Sequence, residues 1–178
     1  MLAGAVAGCA APRAPLPPPT TPATPTAATG PVPTGGAPAA TALTLTTAGG
    51  LVLATTVEGG ASLEDPAATG SSPPMLRWYA EPGGAPGTYV LRNAATTDDR
   101  DVCLQVPAEG TVSSGTCGPS TDQRFELAAR GPAAHVLRSP SGFVVAAADG
   151  GLTTSPDAAA ATPFVVSDAD RAGTVPDL

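Results

Sequence analysis

Tyr89-Val90-Leu91-Arg92-Asn93, then Val102-Cys103-Leu104-Gln105-Val106, then Gln123-Arg124-Phe125 is the stretch on which the fold turns. The first two segments are short and apolar at alternate positions, and Gly, Pro, Asp or Ser residues flank them. That pattern is the mark of half-buried strands rather than helices. The same cadence occurs once before and once after. Leu43-Thr44-Leu45-Thr46 and His135-Val136-Leu137-Arg138 open like Tyr89-Val90-Leu91-Arg92, and the interval between openings is the same both times.

Working outward, each opening leads to a second apolar run: Gly50-Leu51-Val52-Leu53, the Val102 to Val106 run, and Gly142-Phe143-Val144-Val145. A third short run follows around Ala61-Ser62-Leu63, Gly110-Thr111-Val112 and Gly151-Leu152-Thr153. Each unit closes on an aromatic, in Leu76-Arg77-Trp78, Gln123-Arg124-Phe125 and Thr162-Pro163-Phe164. Self-similarity of this kind decides architecture before any local motif does. Three units of four strands predict an all-β, closed, pseudo-threefold barrel with hairpin caps, because closure removes edges that would pair between chains. The alanines at 158–161 follow a Ser-Pro-Asp turn and are too few for a helix.

The middle unit resembles the repeat of ricin-type β-trefoil lectins, which carry a Cys-Leu-Asp-Val run, a second Cys and a closing Gln-x-Trp. Here the matching residues are Cys103-Leu104-Gln105-Val106, Cys117 and Gln123-Arg124-Phe125. The outer units keep the spacing and lose the signatures. The resemblance implies a β-trefoil over 42–168, with repeats at about 42–81, 88–128 and 134–168. It also implies a disulfide between Cys103 and Cys117. In that family the Asp of Cys-Leu-Asp-Val fixes sugar hydroxyls. Its counterparts are read here as Leu53, Gln105 and Val145. No aromatic lies between Val106 and Cys117 to stack on a sugar ring. The outer units are therefore expected to be scaffold. An altered carbohydrate site in the middle unit would use Gln105, Asn93 and Asp101.

The N-terminal Leu2-Ala3-Gly4-Ala5-Val6-Ala7-Gly8-Cys9 resembles the end of a bacterial lipoprotein signal peptide, with Val6-Ala7-Gly8-Cys9 as the lipobox and Cys9 as the lipidated residue. It has no basic n-region, and its apolar run is shorter than the roughly 7–15 residues plus flanks of a full signal. Two readings follow: a start placed too late, or an incomplete signal. Residues 1–9 are expected to be residual signal. Residues 10–41, rich in Pro, Thr and Ala, are expected to form a disordered linker biased to polyproline II at roughly 3 Å per residue. Residues 169–178 are expected to be a disordered tail. An odd cysteine count in an exported chain needs an explanation. One bridge plus lipidated Cys9 accounts for all three.

Composition narrows function. Eight arginines and no lysine face 15 acids, for a net charge of −7. An acidic surface opposes nucleic-acid binding. No stretch is long and apolar enough to span a bilayer, so contact with a membrane is expected only through a lipid anchor. The single histidine, His135, shares its repeat position with Leu43 and Tyr89, which are core-type positions. No Gly-x-Ser-x-Gly elbow or phosphate loop is present. The cysteines and histidine have no metal-ligand spacing, and no metal or cofactor is expected. Asp98, Asp99 and Asp101 sit with Arg100 in an inserted segment read as a loop over 94–101. The expected function is a non-enzymatic extracytoplasmic binding module, lipid-anchored at the cell envelope or secreted. It would be a degenerate ricin-type lectin with at most weak binding to a cell-wall or extracellular glycan. The alternative is a protein-interaction or protease-inhibitor-like β-trefoil acting through exposed loops on a protein partner.

Overall fold

The computed structural model describes residues 41–68 and 72–169. The signal, linker and tail expected at 1–9, 10–41 and 169–178 lie outside these residues, apart from Thr41 and Ala169. Twelve strands are described. The first unit holds β1 (Ala42–Thr47), β2 (Val52–Thr55), β3 (Ala61–Glu64) and β4 (Trp78–Pro82). The second holds β5 (Thr88–Thr97), β6 (Arg100–Gln105), β7 (Ser113–Thr116) and β8 (Arg124–Ala129). The third holds β9 (Ala134–Ser139), β10 (Gly142–Ala146), β11 (Leu152–Ser155) and β12 (Pro163–Asp168). A 3-10 turn precedes the last strand of each unit, at Pro73–Leu76, Thr121–Gln123 and Ala158–Ala160.

Strand pairing closes a ring. β1 pairs with β4, β4 with β5, β5 with β8, β8 with β9, β9 with β12, and β12 with β1. The remaining strands form the hairpins β2–β3, β6–β7 and β10–β11. Each hairpin touches both of the others through the bridges Gly60 to Ser113, Ser62 to Gly151 and Thr111 to Thr153. The result is a six-stranded barrel with a triangular hairpin cap, a β-trefoil.

The core is layered, with one residue from each unit per layer. Leu45, Leu91 and Leu137 are fully buried, as are Leu53, Leu104 and Val144, and the closing aromatics Trp78, Phe125 and Phe164. The aromatics lie across the barrel wall from the first residues of the openings: Trp78 from Leu43, Phe125 from Tyr89, and Phe164 from His135. Trp78 also donates its indole Nε1–H to Leu53 O at 2.9 Å, tying the barrel to the first hairpin. Each hairpin turns on a glycine with positive φ: Gly59 (81°), Gly110 (80°) and Gly150 (83°). Their N–H groups donate back to Thr56, Pro107 and Ala147. A side chain is poorly tolerated in that left-handed conformation.

Two expectations need correction. The counterpart of Gln105 and Val145 in the first unit is Ala54, not Leu53. Ala54 pairs with Ser62 as Gln105 pairs with Ser113 and Val145 with Thr153, whereas Leu53 joins Leu104 and Val144 in the core. The misreading came from equating Gly50 with Gly142. Gly142 already lies in β10, opposite Ser139, while Gly50 lies in the turn before β2. A slip of one residue exchanges the two faces of a strand.

Residues 94–101, expected to be a loop, are not one. β5 and β6 continue as a paired arm, with Thr96 opposite Asp101 and Thr97 opposite Arg100, beyond an irregularity after Arg92. Asp98 and Asp99 form its two-residue tip with φ of 52° and 59°. Positive φ at both central positions is the mark of the type I′ hairpin turn, whose twist matches that of the flanking strands.

Candidate functional site

The site expected from the middle unit is built on the β6–β7 hairpin and the 3-10 turn before β8. Cys103 and Cys117 are disulfide-bonded, which pins β6 to the chain leaving β7. Gln123, almost fully buried, spans the same region. Its Nε2 donates to Thr116 O at 2.9 Å and to Gln105 Oε1 at 3.4 Å, and its Oε1 accepts the Gly118 N–H at 2.8 Å. Gln105 Nε2 in turn reaches Ser113 Oγ at 3.3 Å. Gly115 lies beneath this amide, and a Cβ there would come within 2.6 Å of Gln105 Oε1. The Gln105 amide thus lies over β7, in the space that a side chain at position 115 would need.

The other two expected sugar contacts are elsewhere. Asn93 is fully buried, because it shares the inward face of β5 with Leu91. Its Nδ2 donates to Met75 O at 3.1 Å and Arg77 O at 3.0 Å, and its Oδ1 accepts the Ala95 N–H at 2.9 Å. It braces the chain around the first 3-10 turn and has no surface for a ligand, which corrects its expected role. Asp101 is exposed at the base of the arm, 3.7 Å from Arg92 Nη1. The three residues do not converge.

Sequence reading passed over Asp122 in the second 3-10 turn. Its backbone O accepts the Val106 N–H at 2.9 Å, while its Oδ1 is buried without a hydrogen-bond partner. Its position beside Gln123 was the available signal. His135 Nδ1 is also buried without a partner. Such groups are rare in folded proteins.

Arg92, on the outer face of β5, donates from Nε to Glu81 Oε1 at 2.7 Å, and its guanidinium lies 4.7 Å from the centre of the Tyr79 ring. The hydrogen bond to Glu81 raises its pKa above the ordinary arginine value, against a smaller opposing effect of burial.

Among the clefts on the described surface, three lie along the barrel wall or beside the arm. One of ≈ 520 Å³ lies between the second and third units, lined by Thr88, Arg124, Glu126, Arg138 and Phe143 among others. One of ≈ 290 Å³ separates the arm from the β2–β3 turn and includes Asp98, Arg100 and Val57. A third of ≈ 360 Å³ lies on the other side of Phe143, toward Ala158 and Arg130. None is lined by Gln105, Asn93 or Asp101. Among the described residues, no group of three or more His, Cys, Asp or Glu is placed to hold a metal ion. No described helix is long and apolar enough to cross a membrane.

No protein-family model matches the chain, and no curated protein matches it. Among solved structures it is similar to a designed 3-fold symmetric protein, ThreeFoil. The TM-score is 0.57 at 14% identity, covering 71% of this chain and 98% of that one. A likeness at that identity bears on the fold alone.

Proposed function

We propose that the protein is a non-enzymatic extracytoplasmic binding module: a degenerate ricin-type lectin domain with at most weak carbohydrate binding in its middle unit, held to the cell envelope through Cys9. The observation that carries this reading is the state of Gln105. It occupies the position that reads sugar in the resembled lectins, inside the one unit that keeps the disulfide frame. Its amide is held by Gln123 and Ser113 over a bare glycine. An amide that must leave these partners before it meets a sugar hydroxyl supports weak binding. Ala54 and Val145, at the equivalent positions, have no hydrogen-bonding side chain at all. The Cys103–Cys117 bridge is compatible with an oxidising compartment. Fold analogy does not assign function by itself, so the reading rests on these residues.

A glycan array probed with the full chain tests it, with Gln105→Ala alongside. Weak binding that falls on this substitution supports the reading; glycan binding indifferent to it removes the middle-unit site. Intact-mass measurement of protein from the native envelope tests the tether, since an unmodified Cys9 would end that part.

A second reading, a protein-interaction or protease-inhibitor-like β-trefoil, draws on the cleft beside the arm. Val57 at the β2–β3 turn is 82% exposed and lies next to the acidic tip of the arm. A partner with a small apolar contact flanked by basic residues would fit there. Cross-linking through a cysteine placed at Val57 separates the two readings.

A further inference from the structure

The ≈ 520 Å³ cleft between the second and third units is within the ~300–1,000 Å³ range of small-molecule sites. Strand register builds its floor. Thr88 lies opposite Glu126, Glu126 opposite Arg138, and Arg138 opposite Phe143. Residues directly opposed on antiparallel strands point to the same side. One row therefore crosses β5, β8, β9 and β10 on the outer face of the barrel. It presents a hydroxyl, a carboxylate, a guanidinium and an aromatic ring in that order. Arg124, two residues before Glu126 on β8, joins the row from the same face.

A counterpart row one unit earlier shows what is unusual here. Arg92 holds the place of Arg138, and it is satisfied. Glu81 accepts from it at 2.7 Å, Tyr79 stacks beneath it, and Asp101 lies 3.7 Å away. Its neighbour on β6 is Cys103, locked in the disulfide. In the later row, Arg138 meets Glu126 through one contact at 3.2 Å, and the two side chains are 54% and 48% exposed. Its guanidinium is 5.7 Å from the centre of the Phe143 ring. Arg124 is half-buried, and its guanidinium has no hydrogen-bond or ion-pair partner among the described residues.

Two guanidiniums against one carboxylate make this cleft locally positive on a chain of net charge −7. Such a site selects an anion, and a guanidinium fork matches a carboxylate through two parallel hydrogen bonds. The Glu126 carboxylate and the hydroxyls of Thr121 and Ser141 line the same space and suit a polyol, while the Thr88 hydroxyl is taken up by the backbone of Ala85. Phe143 adds an apolar surface of the kind that covers one face of a sugar ring.

We propose that this cleft binds a carboxylated sugar, a hexuronate unit of a glycan. Arg124 takes the carboxylate, Glu126 and the hydroxyls hold the ring, and Phe143 supports its apolar face. The proposal rests on the carbohydrate-binding reading above, but it uses a site that shares no residue with Gln105.

Calorimetric titration and saturation-transfer NMR of the full chain test it. The probes are glucuronic acid, galacturonic acid, glucose, galactose and an N-acetylated dipeptide with a free C-terminal carboxylate. The uronates are expected to bind about tenfold or more tightly than the neutral sugars, as loss of a charge-assisted hydrogen bond predicts. Added salt should weaken that binding. Arg124→Gln should erase the preference, and Arg124→Lys should restore part of it. If Arg124→Gln does not fold, Arg138→Gln at an exposed side chain carries the test, with a several-fold loss expected. Equal binding of uronates and neutral sugars overturns the proposal. So does a dipeptide that binds as well as the uronates. Uronate binding lost in Gln105→Ala but kept in Arg124→Gln overturns the cleft assignment and leaves the lectin reading standing. No binding of any sugar, here or on an array, ends both.

Discussion

His135 stands directly opposite Phe164 across β9 and β12, in the place that Tyr89 holds opposite Phe125 and Leu43 opposite Trp78. The histidine is thus the third member of a layer at one end of the barrel, and its Nδ1 is buried without a partner. An unsatisfied polar atom of this kind costs about 1–3 kcal/mol. His135→Leu is expected to raise unfolding free energy by about 1 kcal/mol, since the site is only half-buried. Urea denaturation of the two proteins checks this. A loss of stability would mean that the imidazole has a role outside this layer.

Reducing the Cys103–Cys117 bridge, or replacing both cysteines with serine, is expected to lower stability by about 3 kcal/mol, the chain-entropy value for a loop of this length. The loss should be concentrated in the β6–β7 hairpin. Amide exchange of Ser114 and Cys117, whose N–H groups donate to Gly59 O and Asp101 O, should accelerate first.

Trp78→Phe keeps an aromatic ring in a fully buried place but removes the donor to Leu53 O. It leaves a buried carbonyl unpaired, and a loss of about 1–3 kcal/mol in thermal or chemical unfolding is expected. Phe164→Trp is the informative converse. No space is reserved for the larger ring in a fully buried position, so overpacking should destabilise by about 1–3 kcal/mol.

The arm carries a correctable strain. Asp98 and Asp99 both hold positive φ. The pair Asp98→Asn with Asp99→Gly supplies residues that adopt this conformation readily, and it should stabilise the arm by about 0.5–1 kcal/mol. Stronger amide protection at Thr97 and Arg100 would report it. Slower exchange with no change in midpoint would localise the gain to the arm.

The threefold cadence was legible because each unit repeats three independent signals: an alternating opening, a second apolar run and a closing aromatic. The two misread stretches failed for local reasons. Gly50 and Gly142 look alike in sequence but stand at different points of their turns. Asp98-Asp99 is not the Asn-Gly or Asp-Gly pair that announces a tight hairpin, so the arm read as a loop. At the candidate site, the Gln105 position was legible from the cysteine frame. Asn93 was misplaced, although its two-residue offset from Leu91 already put it on the inward face. The cleft could not be found by reading along the chain. Thr88, Glu126, Arg138 and Phe143 lie on four different strands, and only the barrel's register makes them neighbours.

The closing pair of the barrel has a mechanical meaning. β1 and β12 are antiparallel, and Ala169 N–H donates to Ala42 O at 2.7 Å, so the domain's entry and exit lie side by side. A pull between these two ends loads the ladder one rung at a time, beginning at Ala42 and Ala169, rather than shearing all of its hydrogen bonds together. The domain would open like a zip at modest force. A load applied through the entry and a ligand held on the barrel wall would run along a different line and spare that seam.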